Sequence, residues 1–309
     1  VTSLGPVLSA GQYSIGKPGD TGALVYGAGA GGIWIATTET DTGSLTVQDQ
    51  AVVGHDGVLF GVDTQPGMVI TQTGQAWLPG QGPACLDAYS ALSAAWNDPT
   101  VRLFAGDIQV LRSFYAVSNV TRCTYGRGRK IMPTYGLANQ GLVPFTAQFQ
   151  SADNYWYEDQ ASVANIRIAP SAIGTLTPPM TPPLQLASQT FFQIAELANT
   201  GPVPTWPVIT FTGPVTNPGL TYVNTPVTVG YSGTIPAGQS LVIDTRPWAR
   251  SALLNNVASV AGNMTGDPMI SLQLPVGQTL VHFNGQDFTG SATCVVSWQN
   301  ATLAIGGTL

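Results

Sequence analysis

Short runs of Val, Ile, Thr and aromatic residues recur along almost the whole chain, and each closes in a Gly, Pro or Asp-Gly turn. β-Branched and aromatic side chains suit a pleated surface, whereas Gly and Pro interrupt it. This rhythm confines the chain to many short strands, and the 36 Gly and 23 Pro among 309 residues supply the breaks. In the first third, Gly32 to Thr37, Ser44 to Val47, Val58 to Val62 and Met68 to Thr73 read as strands, which predicts a sandwich or barrel.

One segment departs from that rhythm. From Pro83 to Trp96, Leu86, Tyr89, Leu92, Ala95 and Trp96 recur at three- and four-residue spacing before Asp98-Pro99 stops the run. That is a helix whose apolar stripe covers one face of the preceding sheet. Strand signals resume at Arg102 to Phe104, Ile108 to Val117, Arg122 to Tyr125 and Leu142 to Gln150, with a turn-rich Gly126 to Gly141 inside a long, partly exposed hairpin.

A length of 309 residues accommodates about two domains. Pro170, Pro178, Pro179, Pro182 and Pro183 favour an extended connection over a packed helix. The expected division is therefore a first domain over 1–165, a Pro-rich connection over 166–187 and a second domain over 188–309. The second shows candidate strands at Val208 to Thr212, Thr225 to Tyr231, Gln239 to Asp244, Met269 to Leu274, Thr279 to Asn284 and Ala292 to Trp298, as a β-sandwich would. No repeat of 20 to 50 residues supports a solenoid or propeller.

Charge is scarce. Asp, Glu, Lys and Arg make up 8% of the chain, against about a quarter in ordinary soluble domains. Such a surface fits a subunit covered by other protein better than a free enzyme. The net charge of −6 argues against nucleic acid as the main partner, because neutralising phosphates requires clustered Lys and Arg. The basic residues that do exist are concentrated: Arg102, Arg112, Arg122, Arg127, Arg129 and Lys130 fall within one stretch. They read as intersubunit contacts to acidic patches, since arginine forks grip carboxylates, as a solvated strand face, or, third in a chain of net negative charge, as a nucleic-acid groove. No apolar run reaches the ~20 residues of a membrane span, and no secretory leader is expected at Val1 to Gly11.

The candidate chemistry is thin. Gly27, Gly29 and Gly32 spell GxGxxG, but a strand signal follows where a dinucleotide site needs a helix, so a Gly-rich loop is expected. His55 sits beside Asp56-Gly57 and reads as a turn residue, and His282 as a sheet residue; no Gly-x-Ser-x-Gly elbow occurs. Asp153, Glu158 and Asp159 could in principle serve a paired-carboxylate hydrolase, though most acids are simply solvated. Cys85, Cys123 and Cys294 lack the spacing of a disulfide framework or zinc site and read as buried thiols. Asn119, Asn263 and Asn300 stand in sequons that read as coincidental. Trp206, Trp248 and Trp298 with Tyr222 and Tyr231 could form a sugar-stacking platform, with Trp206 and Trp248 the candidate contacts, or a sandwich core. Neither a cofactor nor a metal is expected.

Several strings resemble a known family. His55-Asp56-Gly57-Val58-Leu59-Phe60-Gly61, then Val69-Ile70 and the helix Pro83 to Trp96, resemble the first half of siphophage distal tail proteins, also called minor tail proteins, especially those of actinobacterial phages. Arg122-Cys123-Thr124-Tyr125-Gly126-Arg127-Gly128-Arg129, running to Phe149 through Tyr157, is similar to the end of that family's ring-forming domain. The strings Ile235 to Thr245, Leu274 to Leu280 and Val295 to Trp298 are similar, in order and spacing, to its C-terminal galectin-like sandwich.

The resemblance implies a mainly β chain with a ring-forming β-sandwich or split-barrel domain carrying one helix, followed by a galectin-like β-sandwich. It implies a non-enzymatic virion protein whose hexameric ring joins the tail tube protein to tail-tip hub or baseplate proteins, near the tape measure protein, with DNA only in transit through the lumen. The alternative is a carbohydrate-binding tail adhesin that contacts the host envelope.

Overall fold

The computed structural model describes residues 5–168, 193–225, 227–287 and 289–306. The chain divides into two compact units: one runs to Gln160 and takes in the C-terminal residues from Ala301, and the other is Ala161–Asn300.

In the first unit, Tyr13–Gly16 (β1), Leu24–Tyr26 (β2), Ile33–Asp41 (β3), Gln50–Ala51 (β4), Val58–Leu59 (β5) and Val69–Trp77 (β6) precede the helix Gly82–Trp96 (α1) and the short helix Pro99–Arg102 (α2). Gln109–Tyr115 (β7), Val120–Pro133 (β8), Leu142–Ser151 (β9) and Trp156–Glu158 (β10) follow. An antiparallel sheet runs β2-β1-β7-β8-β9-β6-β3, with β10 added against β8. On β9, Val143, Phe145, Ala147 and Phe149 are buried while their neighbours are only partly so, which is the two-residue period of a strand with one face on a core.

Helix α1 closes that core. Cys85, Tyr89, Leu92 and Trp96, one face at four- and three-residue steps, pack with Ile70, Phe145 and Phe149. Leu86, expected in this stripe, is instead 39% exposed, and Cys85 takes the inward position while its thiol donates to the Ala76 carbonyl at 3.3 Å. Asn97 ends α1, its side chain bonding Ser93 O at 3.0 Å, and Asp98 caps α2 by accepting from Thr100 N at 2.8 Å. Arg102 to Phe104, expected as a strand, is thus the end of α2 and an exposed turn.

The expected hairpin is present as β8 against β9, but its turn is shorter than the turn-rich Gly126 to Gly141 suggested. Rather than turning, β8 continues to Pro133 against β9. A Cβ at Gly126 would lie 2.1 Å from Gln150 O, and one at Gly128 would lie 2.2 Å from Trp96 O. These glycines admit close backbone approach and do not break the strand.

The second unit is a sandwich. Its elements are Ser162–Arg167 (β11), Ile194–Asn199 (β12), Val208–Thr212 (β13), Val215–Tyr222 (β14), Thr228–Tyr231 (β15), Thr234–Ile235 (β16), Ser240–Asp244 (β17), Ser251–Leu254 (β18), Ala258–Ser259 (β19), Met264–Gly266 (β20), Gly277–Gln286 (β21) and Thr293–Trp298 (β22). One sheet runs β11-β22-β13-β17-β18-β19 and the other β12-β21-β14-β15-β20, with β16 beside β14. Their inner faces share a core in which Phe211 and Phe283 stack 5.5 Å apart. Met269 to Leu274, expected as a strand, begins as the 3-10 turn Met269–Ser271.

A last strand, Ala301–Thr302 (β23), pairs with β10. The chain therefore returns to the first unit after the sandwich, and β11 pairs with β22 inside the sandwich. Both details shift the expected bounds at 165 and 188–309. The Pro-rich connection lies largely outside the described residues.

Candidate assembly surfaces

The six clustered basic residues separate into two groups. Arg112 on β7 is 2% exposed and grips Asp159 with both arms of its guanidinium, Nε to Oδ1 and Nη2 to Oδ2, each 2.6 Å. Its Nη1 donates to Pro6 O at 2.7 Å and Ser14 Oγ at 3.2 Å. Arg122 on β8 is equally buried and stands 3.7 Å from Glu158, its register partner on β10. Burial pulls the Arg122 guanidinium below its usual pKa, while the Glu158 carboxylate works in the opposite direction. Expected as candidate intersubunit contacts, Arg112 and Arg122 are committed inside the chain, where they hold β10 and the segment after it to the sheet.

The other four face outward or line a recess. Arg127 donates to Asp107 O at 2.7 Å and Phe104 O at 2.6 Å, pinning the turn after α2 while keeping its charge unneutralised. Arg102, Arg129 and Lys130 are exposed, and their side chains have no hydrogen-bond or ion-pair partner among the described residues. Arg102, Arg127 and Arg129 surround a cavity of about 120 Å³ floored by Trp96, Val101 and Gly128. Leu103 and Phe104, 71% and 61% exposed, lie in the turn that Arg127 pins.

A second surface lies between β3 and β6. Residues 42–66 form an arm that, among the described residues, pairs only with itself, through β4-β5 and a bridge between Thr46 and Thr64. It exposes Leu45, Val47, Val53, Val58, Leu59, Phe60 and Val62, with Phe60 87% and Val53 96% accessible. In the register Ala51↔Val58, Phe60 shares a face with Val58 and Val47. Exposed apolar residues grouped in this way mark an interaction surface. The sequence showed the alternation but not that the arm has no sheet beneath it. Ser44 to Val47, expected as a strand, makes only the Thr46 bridge.

The remaining candidates have structural places. Trp206 is 7% exposed with the Arg250 guanidinium 5.9 Å over its ring, and Trp248 is partly buried under Arg246 at 5.8 Å. An open sugar-stacking platform is therefore not built from these two. Trp298, Tyr222 and Tyr231 belong to the sandwich core. Gly27, Gly29 and Gly32 turn β2 into β3 with φ of 87°, 84° and 75°, so a strand follows them, not a helix. His55 is exposed at the arm tip, and His282 lies on β21 opposite Ile194 and Thr221. Asn300 is buried and bonds Thr200, whereas Asn119 and Asn263 are exposed, and the three cysteines are buried thiols. Asp153 accepts from Tyr157 OH and from Tyr155 N, and burial pushes its pKa up to about 6. Asp159 pairs with Arg112 and Glu158 with Arg122, so these two carboxylates serve the sheet. Among the described residues no cluster of His, Cys, Asp and Glu could hold a metal.

Comparison of the sequence with protein-family models and with curated proteins gives no match. Solved structures do match, over both units. The chain superposes on the Dit protein of phage SPP1, described as a paradigm of the hub adsorption apparatus of phages infecting Gram-positive bacteria, with a TM-score of 0.55 and 13% identity over 94% of this chain and 98% of that one. It also matches the phage P2 baseplate in its Ca-activated conformation, with a TM-score of 0.52 and 12% identity over 93% and 97%. The chain thus has the fold of phage hub and baseplate proteins. Within that class it is the Dit-like arrangement, a helix-bearing sheet unit interrupted by a sandwich, that this sequence adopts.

Proposed function

We propose that this chain is a structural, non-enzymatic protein of a phage virion, placed at the distal end of the tail. Six copies form a ring that connects the tail tube to the tail-tip hub, near the tape measure protein, and DNA passes through the lumen. The whole-chain likeness to hub proteins supports the class. The arm of residues 42–66 carries the ring reading: an apolar face of this size with no partner among the described residues is one that an assembly covers. The scarce charge fits the same reading, and a net negative chain does not hold passing phosphates. The host type and the galectin-like character of the sandwich are carried by the sequence resemblance. Negative-stain images and mass in solution test the proposal: a six-fold ring with a central channel is expected, and a monomer at tens of micromolar refutes it.

A second reading attaches to the sandwich. A groove of about 350 Å³ crosses the face of β14, β15 and β20 that turns away from the core, lined by Asn217, Thr221, Thr228, Thr265 and Asn284, with Gly219 and Gly230 as its floor. Hydrogen-bonding groups without any Asp, Glu, Lys or Arg suit a neutral saccharide of the host envelope. Titration calorimetry of the full chain with envelope saccharides should give binding that Asn284→Ala weakens; a flat isotherm removes this reading.

A further inference from the structure

We propose that the arm of one copy seats on the basic surface around Arg102, Arg127, Arg129 and Lys130 of the next copy. The inference rests on the ring reading above and names the contact that closes it. Between residues 41 and 67 the chain carries Asp41, Asp49, Asp56 and Asp63 and no Lys or Arg. Asp49 accepts from Gly61 N and Asp41 from Gly43 N, while Asp56 and Asp63 are exposed with no partner among the described residues. The basic surface carries the opposite excess: Arg102, Arg129 and Lys130 form no ion pair among the described residues and Arg127 bonds backbone carbonyls, with Asp98 and Asp107 the acids beside them.

Apolar chemistry matches as well. The arm offers Val58, Phe60 and Val62, and the basic side offers Leu103, Phe104 and the cavity floored by Trp96 and Val101. Opposite charges flanking apolar patches fix a register between two surfaces, since the charges steer and the apolar area holds. Among the described residues of one copy no arm carboxylate forms an ion pair, which leaves these charges open to a second copy. Like charges on two arms disfavour a symmetric arm-to-arm dimer relative to this pairing. The contact is head-to-tail, the kind of interface that generates rings when its rotation closes. Both surfaces belong to the first unit, so this contact draws on no residue of the sandwich.

Charge reversal of the intact chain tests this. Asp56→Lys with Asp63→Lys, or Arg102→Glu with Arg129→Glu and Lys130→Glu, should each weaken assembly about tenfold or more at low salt, with unchanged circular dichroism. Mixing the two reversed proteins should restore even-membered rings, because each arm then meets an opposite charge. In a second format, Asp56→Cys combined with Arg129→Cys should give disulfide-linked ladders ending at the ring size, the native thiols being buried. Wild-type-like assembly of both reversed proteins, or no ladder from the paired cysteines, overturns this contact and leaves the ring standing. A wild-type protein that stays monomeric overturns the ring reading and this contact together.

Discussion

Replacing Asp159 with alanine removes the carboxylate that takes two 2.6 Å bonds from the buried Arg112 guanidinium, while the bonds to Pro6 O and Ser14 Oγ remain. A buried cation deprived of its counterion costs about 3–5 kcal/mol, far more than the ~0–1 kcal/mol of an exposed pair. In a unit of this size each kcal/mol corresponds to roughly 2–4 °C, so the first unit should melt about 6–20 °C lower. Scanning calorimetry of the full chain separates this from the sandwich, whose transition should stay in place. The double variant Arg112→Met with Asp159→Leu should recover most of the loss, because no charge is then left in the interior. A shift of less than about 1 kcal/mol refutes the reasoning, as does a loss that occurs only at concentrations where rings form. Either result would return Arg112 to an interface between subunits.

Phe60→Ala, at a site 87% exposed, should leave melting within about 0.5 kcal/mol of wild type yet reduce ring formation measured by mass photometry. Gly141→Ala should destabilise the first unit by at least about 2 kcal/mol in denaturant titration, because φ is 79° and the new Cβ would lie 1.8 Å from Leu78 O. Asp153, with a folded pKa of about 6 against an ordinary 3.8, holds its proton in the folded state across that window. Stability of the first unit should therefore fall as pH rises through it, and Asp153→Asn should flatten the profile; an unchanged slope would contradict the burial argument.

Much of the fold was legible because burial follows period. The α1 stripe and the β9 alternation are local patterns, and Val208–Thr212 needs only its own residues to read as a strand. Two errors came from residues whose local meaning is ambiguous. Gly126 and Gly128 look like turn signals, yet they serve to let Gln150 and Trp96 come close. Leu86 fits the helical stripe as well as Cys85 does, and only the position of Ala76 settles which one turns inward. In the assembly surfaces the sequence located the basic cluster but could not divide it, since a paired buried arginine and a solvated one are the same letter.

The sequence by itself determined that the chain is mainly β with one substantial helix, that its surface is poor in charge and that its positive charge is concentrated before residue 131. Strand period, helical period and composition are properties of neighbours along the chain, so they can be read without a structure. The tertiary structure decided what depends on distant residues. It placed Asp159 on Arg112, returned Ala301–Thr302 to β10 after the sandwich, and left the arm of residues 42–66 with no sheet behind it. Pairings across 47 or more than 140 positions leave no local trace, because what selects them is the burial of charge and apolar surface in the folded chain.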